Sequence, residues 1–266
     1  MLEALIIITN LIPEIIIFII GLMVGSFLNV VIYRLPQGEG FLLSRSYCPN
    51  CQTTLKVVDL IPVFSFLFTR GKCRYCEAKI SGQYAIGELL TASLALLLYL
   101  NFGFSAQFWI YAYLTSLLII CSFIDFEHHI IPNKITYPNI IIGLILSLFF
   151  EHITVINSIS GVFLPALFLL VIALLYKGGM GMGDVKFIAM IGAFIGAKYG
   201  FFAIFMASLI GSIIGVVLLA FKIKGMKSHV PFGPMLASGA LVMIFLGDEI
   251  IDLVFRLNDY IFSFLI

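Results

Sequence analysis

From Leu89 to Ile124 the chain carries no charged side chain. A helix needs about 20 apolar residues to cross the hydrocarbon core of a bilayer, so this run is long enough to cross twice. Asn101-Phe102-Gly103-Phe104-Ser105 supplies a tight turn near its middle,. Other uncharged runs repeat the pattern. Ile15–Tyr33, Ile135–Phe150, Ile153–Tyr176 and Val230–Gly247 each read as one span. Phe187–Phe221 contains only Lys198, flanked by Gly196 and Gly200, and reads as a second hairpin. Met1–Asn10 lacks a positively charged start, so Ile15–Tyr33 is expected to be a retained first span rather than a cleaved signal.

Composition agrees. Charged residues make up 11% of the chain and hydrophobic ones 62%, whereas a soluble domain carries about a quarter charged. The net charge of +1 gives no case for nucleic-acid binding. The expected fold is an all-α polytopic membrane protein of about eight transmembrane helices, with a small cytoplasmic zinc-binding insertion after the first helix. The apolar tail Leu253–Ile266 is short and interrupted, and is expected at the membrane interface. The expected domains are the first transmembrane helix (1–34), a cytoplasmic loop (35–84) and the remaining membrane helices (85–266), with the reactive core at about 107–250.

Basic residues set the orientation. With the N-terminus outside and Arg34–Tyr84 in the cytoplasm, all the basic residues fall on inner loops except Lys198 and Arg256. The reverse orientation inverts that bias. In the accepted one, Asp125 and Asp184 both face the cytoplasm.

The loop from Leu35 to Ser81 is the one soluble insertion long enough to fold. It holds Cys48-Pro49-Asn50-Cys51 and Cys73-Arg74-Tyr75-Cys76. Two such C-x-x-C pairs match a tetrahedral zinc site, and so small a segment needs a staple. Disulfides or free thiols are the alternatives, and a reducing compartment disfavours disulfides. Four thiolates leave no open position, which marks the metal as structural. Cys121 lies in a span and reads as packing.

Asp125 and Asp184 stand at the ends of apolar runs, where charge is costly. Asp184 closes the turn Gly181-Met182-Gly183-Asp184, and glycine lets backbones approach closely there. Two neighbouring carboxyl groups share a proton and titrate together. Such a pair holds and deprotonates a water that attacks an amide carbonyl, with no Ser or Cys nucleophile. Taken singly, Asp184 is a helix cap and Asp125 a charge paired with Lys134 or Lys186. A third reading makes Asp125, Glu127, His128 and His129 metal ligands of a transporter. Adjacent histidines point to different helix faces, and His152 and His229 are isolated.

Taken together, Gly25-Ser26-Phe27-Leu28-Asn29 through Arg34-Leu35-Pro36, the four cysteines, the Asp125 segment through Pro132-Asn133, and Gly181 through Lys186 resemble the type 4 prepilin peptidase family. Pro231-Phe232-Gly233-Pro234 resembles a further segment of it. The resemblance implies a bifunctional leader peptidase and N-methyltransferase of the bacterial inner membrane. Its substrates are type IV prepilins and pseudopilins, with membrane lipid as surroundings. Asp125 and Asp184 become the catalytic pair, supported by Gly181, Gly183 and Lys186. Cys48, Cys51, Cys73 and Cys76 hold structural zinc. S-adenosylmethionine is the implied methyl donor and Glu88 the methyltransferase candidate, although Tyr84-Ala85-Ile86-Gly87-Glu88 differs from the family's Tyr-Pro-x-Val-Glu form. On the residues alone, Glu88 sits at a helix start, where it satisfies the dipole or pairs with Arg34. With no soluble Gly-rich nucleotide fold in the chain, the donor is expected between the cysteine loop and the membrane.

Overall fold

The computed structural model describes residues 2–40, 45–175, 181–221 and 231–265, with side chains described from 11 to 257 within those ranges. Among the described residues, eight α-helices follow in order: α1 (Leu2–Arg34), α2 (Phe64–Phe68), α3 (Gln83–Phe102), α4 (Ala106–His128), α5 (Asn133–Phe149), α6 (Val155–Leu175), α7 (Met182–Ala220) and α8 (Gly233–Leu265). Among the described residues, β-pairing is confined to two isolated bridges in the cysteine loop. The chain forms two compact units, Met1–His128 and His129–Ile266.

Among the described residues, five helices are long and apolar enough to cross a membrane: Leu11–Arg34 of α1, α3, α4, α6 and α7. The expected count of eight is therefore not established. α5 is apolar but shorter, at 17 residues. The expected interfacial tail is a continuation of α8, which runs on past a break at Leu246 (φ −129°, ψ 15°).

In the first unit, α1 and α3 cross where Gly21 and Gly25 remove the intervening side chains. A Cβ at Gly21 would lie 2.6 Å from the Ala92 Cα, and one at Gly25 would lie 2.7 Å from the Glu88 Cα. Small residues four apart allow this approach in membranes, where lipid offers no hydrophobic drive between helices. Asn29 fixes the register by donating from Nδ2 to the Tyr84 carbonyl at 2.9 Å. The turn foreseen at 101–105 is present. Gly103 adopts φ 57°, its N–H bonds the Tyr99 carbonyl, and Ser105 Oγ caps α4 by accepting the Phe108 N–H at 3.2 Å. Tyr99, Phe104 and Phe108 stack over that corner.

In the second unit, α7 folds back on itself. Gly196 leaves the helix at φ 81°, ψ 176°. A Cβ at Gly200 would come 4.0 Å from the Gly192 Cα, whereas eight residues of straight helix would hold them about 12 Å apart. The foreseen hairpin is thus real, with limbs 182–195 and 197–220. Asn157 of α6 stabilises the bend by accepting the Ala197 N–H at 3.1 Å. α6 and the first limb meet backbone to backbone, since a Cβ at either Gly161 or Gly192 would overlap the other's carbonyl. Ser158 Oγ donates to the Ala193 carbonyl at 2.6 Å beside that crossing.

Replacing Gly192 with Val should therefore lower stability by about 3 kcal/mol or more through overpacking. Gly215→Ala, at a position with open space around it, should be tolerated. Thermal unfolding of the detergent-solubilised protein distinguishes the two, and equal midpoints would refute the crossing.

Candidate active site and metal centre

The first aspartate ends a stripe along α4. Leu114, Leu118 and Cys121 are completely buried at helical spacing, and Asp125 continues the same face one turn later, itself 6% exposed. The helix then stops after His128, and His129 takes a left-handed conformation (φ 54°). Pro132 caps α5 (φ −66°, ψ 124°), consistent with the bias of proline against continuing a helix.

The second aspartate lies in the first turn of α7. Its backbone N–H donates to the Gly181 carbonyl at 3.1 Å, and its Oδ2 accepts the Gly181 N–H at 3.3 Å. The helix N-terminus favours a carboxylate there. Asp184 is nonetheless 8% exposed, so the cap is also a buried carboxyl. The glycines earn their place by packing: a Cβ at Gly183 would sit 3.3 Å from the Ile131 Cβ. Lys186 reaches across to the same segment, donating to Asn133 Oδ1 at 3.1 Å and lying 5.5 Å from the centre of the Tyr137 ring. The turn 181–186 and the segment 131–137 are therefore one packed piece. Asn133 and Tyr137 as partners of Lys186 were not apparent in the sequence. Met180, Gly178 and Gly179 of the glycine run lie outside the described residues, as do Lys177, Lys222, Lys224, Lys227 and His229.

The four cysteines converge. Their sulfurs all lie within 4.8 Å of one another, with Cys48 Sγ 3.9 Å from Cys76 Sγ. A tetrahedron of Zn–S bonds near 2.3 Å places sulfurs about 3.8 Å apart, so the set fits a metal ion. All four are free thiols, too far apart for a disulfide,. The two halves are built alike. Each C-x-x-C turn is closed by an isolated bridge, Tyr47 with Thr54 and Lys72 with Lys79. In each, the first Cys N–H donates to the carbonyl five residues on, and the residue after the second Cys returns its N–H to the first Cys carbonyl. That residue is left-handed in both, Gln52 at φ 56° and Glu77 at φ 58°. Hydrogen bonding from Thr53 holds the Cys51 thiol down to about 6, and the Tyr75 and Cys76 N–H groups lower Cys73. Burial pushes Cys48 up to about 11. Among the described residues this is the one group of metal-binding side chains close enough to share an ion. The Asp125–His129 cluster does not form one.

Asp59 ties the loop together. Its carboxylate accepts the Tyr75 hydroxyl at 2.7 Å and the Lys56 N–H at 3.0 Å, and pairs with Arg74 Nε at 2.9 Å. Burial raises its pKa, but these three partners outweigh burial and hold the carboxyl below its ordinary 3.8.

Glu88 does not pair with Arg34. Its Oε2 accepts the Val63 N–H at 2.6 Å, and Ser26 of α1 supplies a second hydrogen bond. Val63 adopts φ 60° to make this contact, a conformation that costs a β-branched residue about 1–3 kcal/mol. Nothing in the sequence marks Val63 for it. Arg34 instead organises the start of the loop, donating to the Arg45 carbonyl at 2.9 Å, lying 5.3 Å from the Tyr47 ring and 4.0 Å from Glu39. Between α1, α3 and the cysteine loop lies a cavity of about 380 Å³, whose lining includes Asn29, Tyr33, Arg34, Tyr84 and Glu88.

Comparison with known proteins gives two adjoining matches. Residues 19–102 match the bacterial peptidase A24 N-terminal domain, and residues 112–216 match the type IV leader peptidase family. Curated proteins named prepilin leader peptidase/N-methyltransferase align along most of the chain. That of Stutzerimonas stutzeri is 34% identical, covering 87% of this chain and 90% of the relative. That of Bacillus subtilis is 35% identical, covering 89% and 96%, and that of Pseudomonas aeruginosa 32%, covering 87% and 90%. No solved structure gives a significant match.

The thiol chemistry predicts how the metal centre responds to acid. Metal binding requires thiolates, so affinity falls as the pH is lowered from about 8 to about 4 and protons compete for the four sulfurs. Metal content of the purified protein, measured after dialysis across that range, checks this; undiminished metal at pH 4 would count against the Cys₄ assignment. Asp59→Asn should loosen the loop by about 1–3 kcal/mol, seen as faster proteolysis at neutral pH.

Proposed function

Because this chain belongs to the prepilin leader peptidase/N-methyltransferase family, we propose that it removes the leader peptides of type IV prepilins and pseudopilins and N-methylates the new N-terminus. The reading rests above all on the pair of buried carboxyl groups at helix ends. Asp125 closes the apolar face of α4, and Asp184 is held in the first turn of α7.

In this reading Asp125 and Asp184 share one proton. The ionised carboxylate takes a proton from water as the water oxygen attacks the scissile carbonyl carbon. The protonated carboxyl then passes its proton to the leaving nitrogen as the C–N bond breaks. Gly181 and Gly183 shape the turn that carries Asp184. Lys186, bound to Asn133 and Tyr137, steadies it. The site faces the cytoplasm of a bacterial inner membrane, as the distribution of Lys and Arg supports. There a basic leader stays in water while the apolar segment behind it lies along the spans.

Residues 35–84 form the accessory module. Cys48, Cys51, Cys73 and Cys76 hold zinc, whose closed thiolate shell supplies folding stability rather than catalysis. S-adenosylmethionine supplies the methyl group when bound, and the cavity beside Glu88 suits it. The cavity combines a carboxylate and tyrosine rings, which favour a cation, with the Arg34 guanidinium, which favours a carboxylate. Glu88 positions this wall by gripping Val63 and Ser26.

Purified protein, a prepilin substrate and labelled S-adenosylmethionine test both activities in one reaction read by mass spectrometry. Asp125→Asn and Asp184→Asn should each reduce cleavage at least about a hundredfold without loss of folded protein. A fully active variant would overturn the dyad. Glu88→Gln should leave cleavage intact and lower methylation, and the reverse pattern would remove Glu88 from the methyltransferase site.

A further inference from the structure

The cysteine module carries an apolar ridge that the fold leaves uncovered. The 3₁₀ turn Val57–Leu60 and α2 contain no buried residue. Val57 and Phe68 are more than four-fifths exposed, and Val58, Phe64 and Leu67 more than half. Five large apolar side chains within twelve positions exceed what a loop in water normally presents. Lys56, Arg70 and Lys72 are exposed along the same stretch. Its one acid, Asp59, is already engaged by Arg74 and Tyr75.

The height of this ridge follows from one hydrogen bond. Val63, immediately before α2, donates its N–H to Glu88, and Glu88 lies in the second turn of the membrane-crossing helix α3. At 1.5 Å per residue, Glu88 is about 7.5 Å along the axis from Gln83. The headgroup region on each side of a bilayer is roughly 5–8 Å thick. The bond therefore ties the start of α2 to the level of the headgroups.

We propose that the ridge Val57–Phe68 inserts into the interface of the same bilayer that α1 and α3 cross, with anionic lipid headgroups binding Lys56, Arg70 and Lys72. The occupant is lipid because the ridge is tied through Val63 to α3, a helix long and apolar enough to cross the membrane, and because Lys56, Arg70 and Lys72 are exposed beside it. Short apolar segments with a basic margin bind such interfaces through buried area plus attraction to anionic lipid. The cysteine module then lies against the membrane, held by α1, α3 and this third contact.

The test uses the full chain in nanodiscs, in a Trp109→Phe background so that one introduced tryptophan reports alone. Phe68→Trp should show blue-shifted emission and several-fold stronger quenching by lipids brominated near the carbonyl than Glu77→Trp, an exposed site on the second knuckle. Quenching should rise when phosphatidylglycerol replaces phosphatidylcholine. It should lose that dependence when Lys56, Arg70 and Lys72 are changed together to Gln. Phe64→Trp repeats the reading should Phe68→Trp misfold, with metal content as the folding control. Water-like emission quenched equally at Phe68→Trp and Glu77→Trp would overturn the proposal. So would a shift that appears only at two chains per disc, which would indicate a second copy, or only on adding prepilin.

Discussion

Hydrocarbon offers no partner to a peptide group, and every other feature of this protein is arranged around that fact. The spans must be helices, and charge is least costly where they end, which is where the two proposed catalytic carboxyls stand. Asp125 stands at the last turn of α4 and Asp184 in the first turn of α7. Helices that cross in lipid also gain little from burying ordinary apolar side chains. Their association depends on contact distance, which explains why Gly21, Gly25, Gly161 and Gly192 occupy the crossings.

The soluble module follows another rule. A segment of its size has too little apolar interior to fold alone, and its four thiols gather closely enough to hold a metal ion,. Both knuckles use the same backbone hydrogen bonds and the same left-handed residue after the second cysteine. The module is linked to the spans through Glu88, Ser26 and Val63. Metal centre, cavity wall and membrane helix are therefore joined through covalent chain and a few short polar contacts.

Much of the helical plan was legible because polarity patterns report it directly. The corner at Asn101–Ser105 was marked by small and polar residues in apolar surroundings, and the bend at Gly196 by Lys198 between Gly196 and Gly200. The four cysteines were legible because a metal site constrains spacing. What could not be read were pairings between distant segments. Asn157 serving the bend at Gly196, Asn133 and Tyr137 receiving Lys186, and Val63 reaching Glu88 leave no local pattern, since each side chain is ordinary for its own element. The span count also resisted the sequence, because α5 is short, α7 turns back at Gly196 and α8 breaks at Leu246.

The contact between Gly161 and Gly192 has a mechanical consequence. Two side chains that meet can change rotamer and absorb a displacement, but two backbones cannot. α6 and the first limb of α7 are thereby clamped into one strut, with Asp184 mounted at its tip. The aspartate inherits the stiffness of the strut: to reposition it, both helices have to move together.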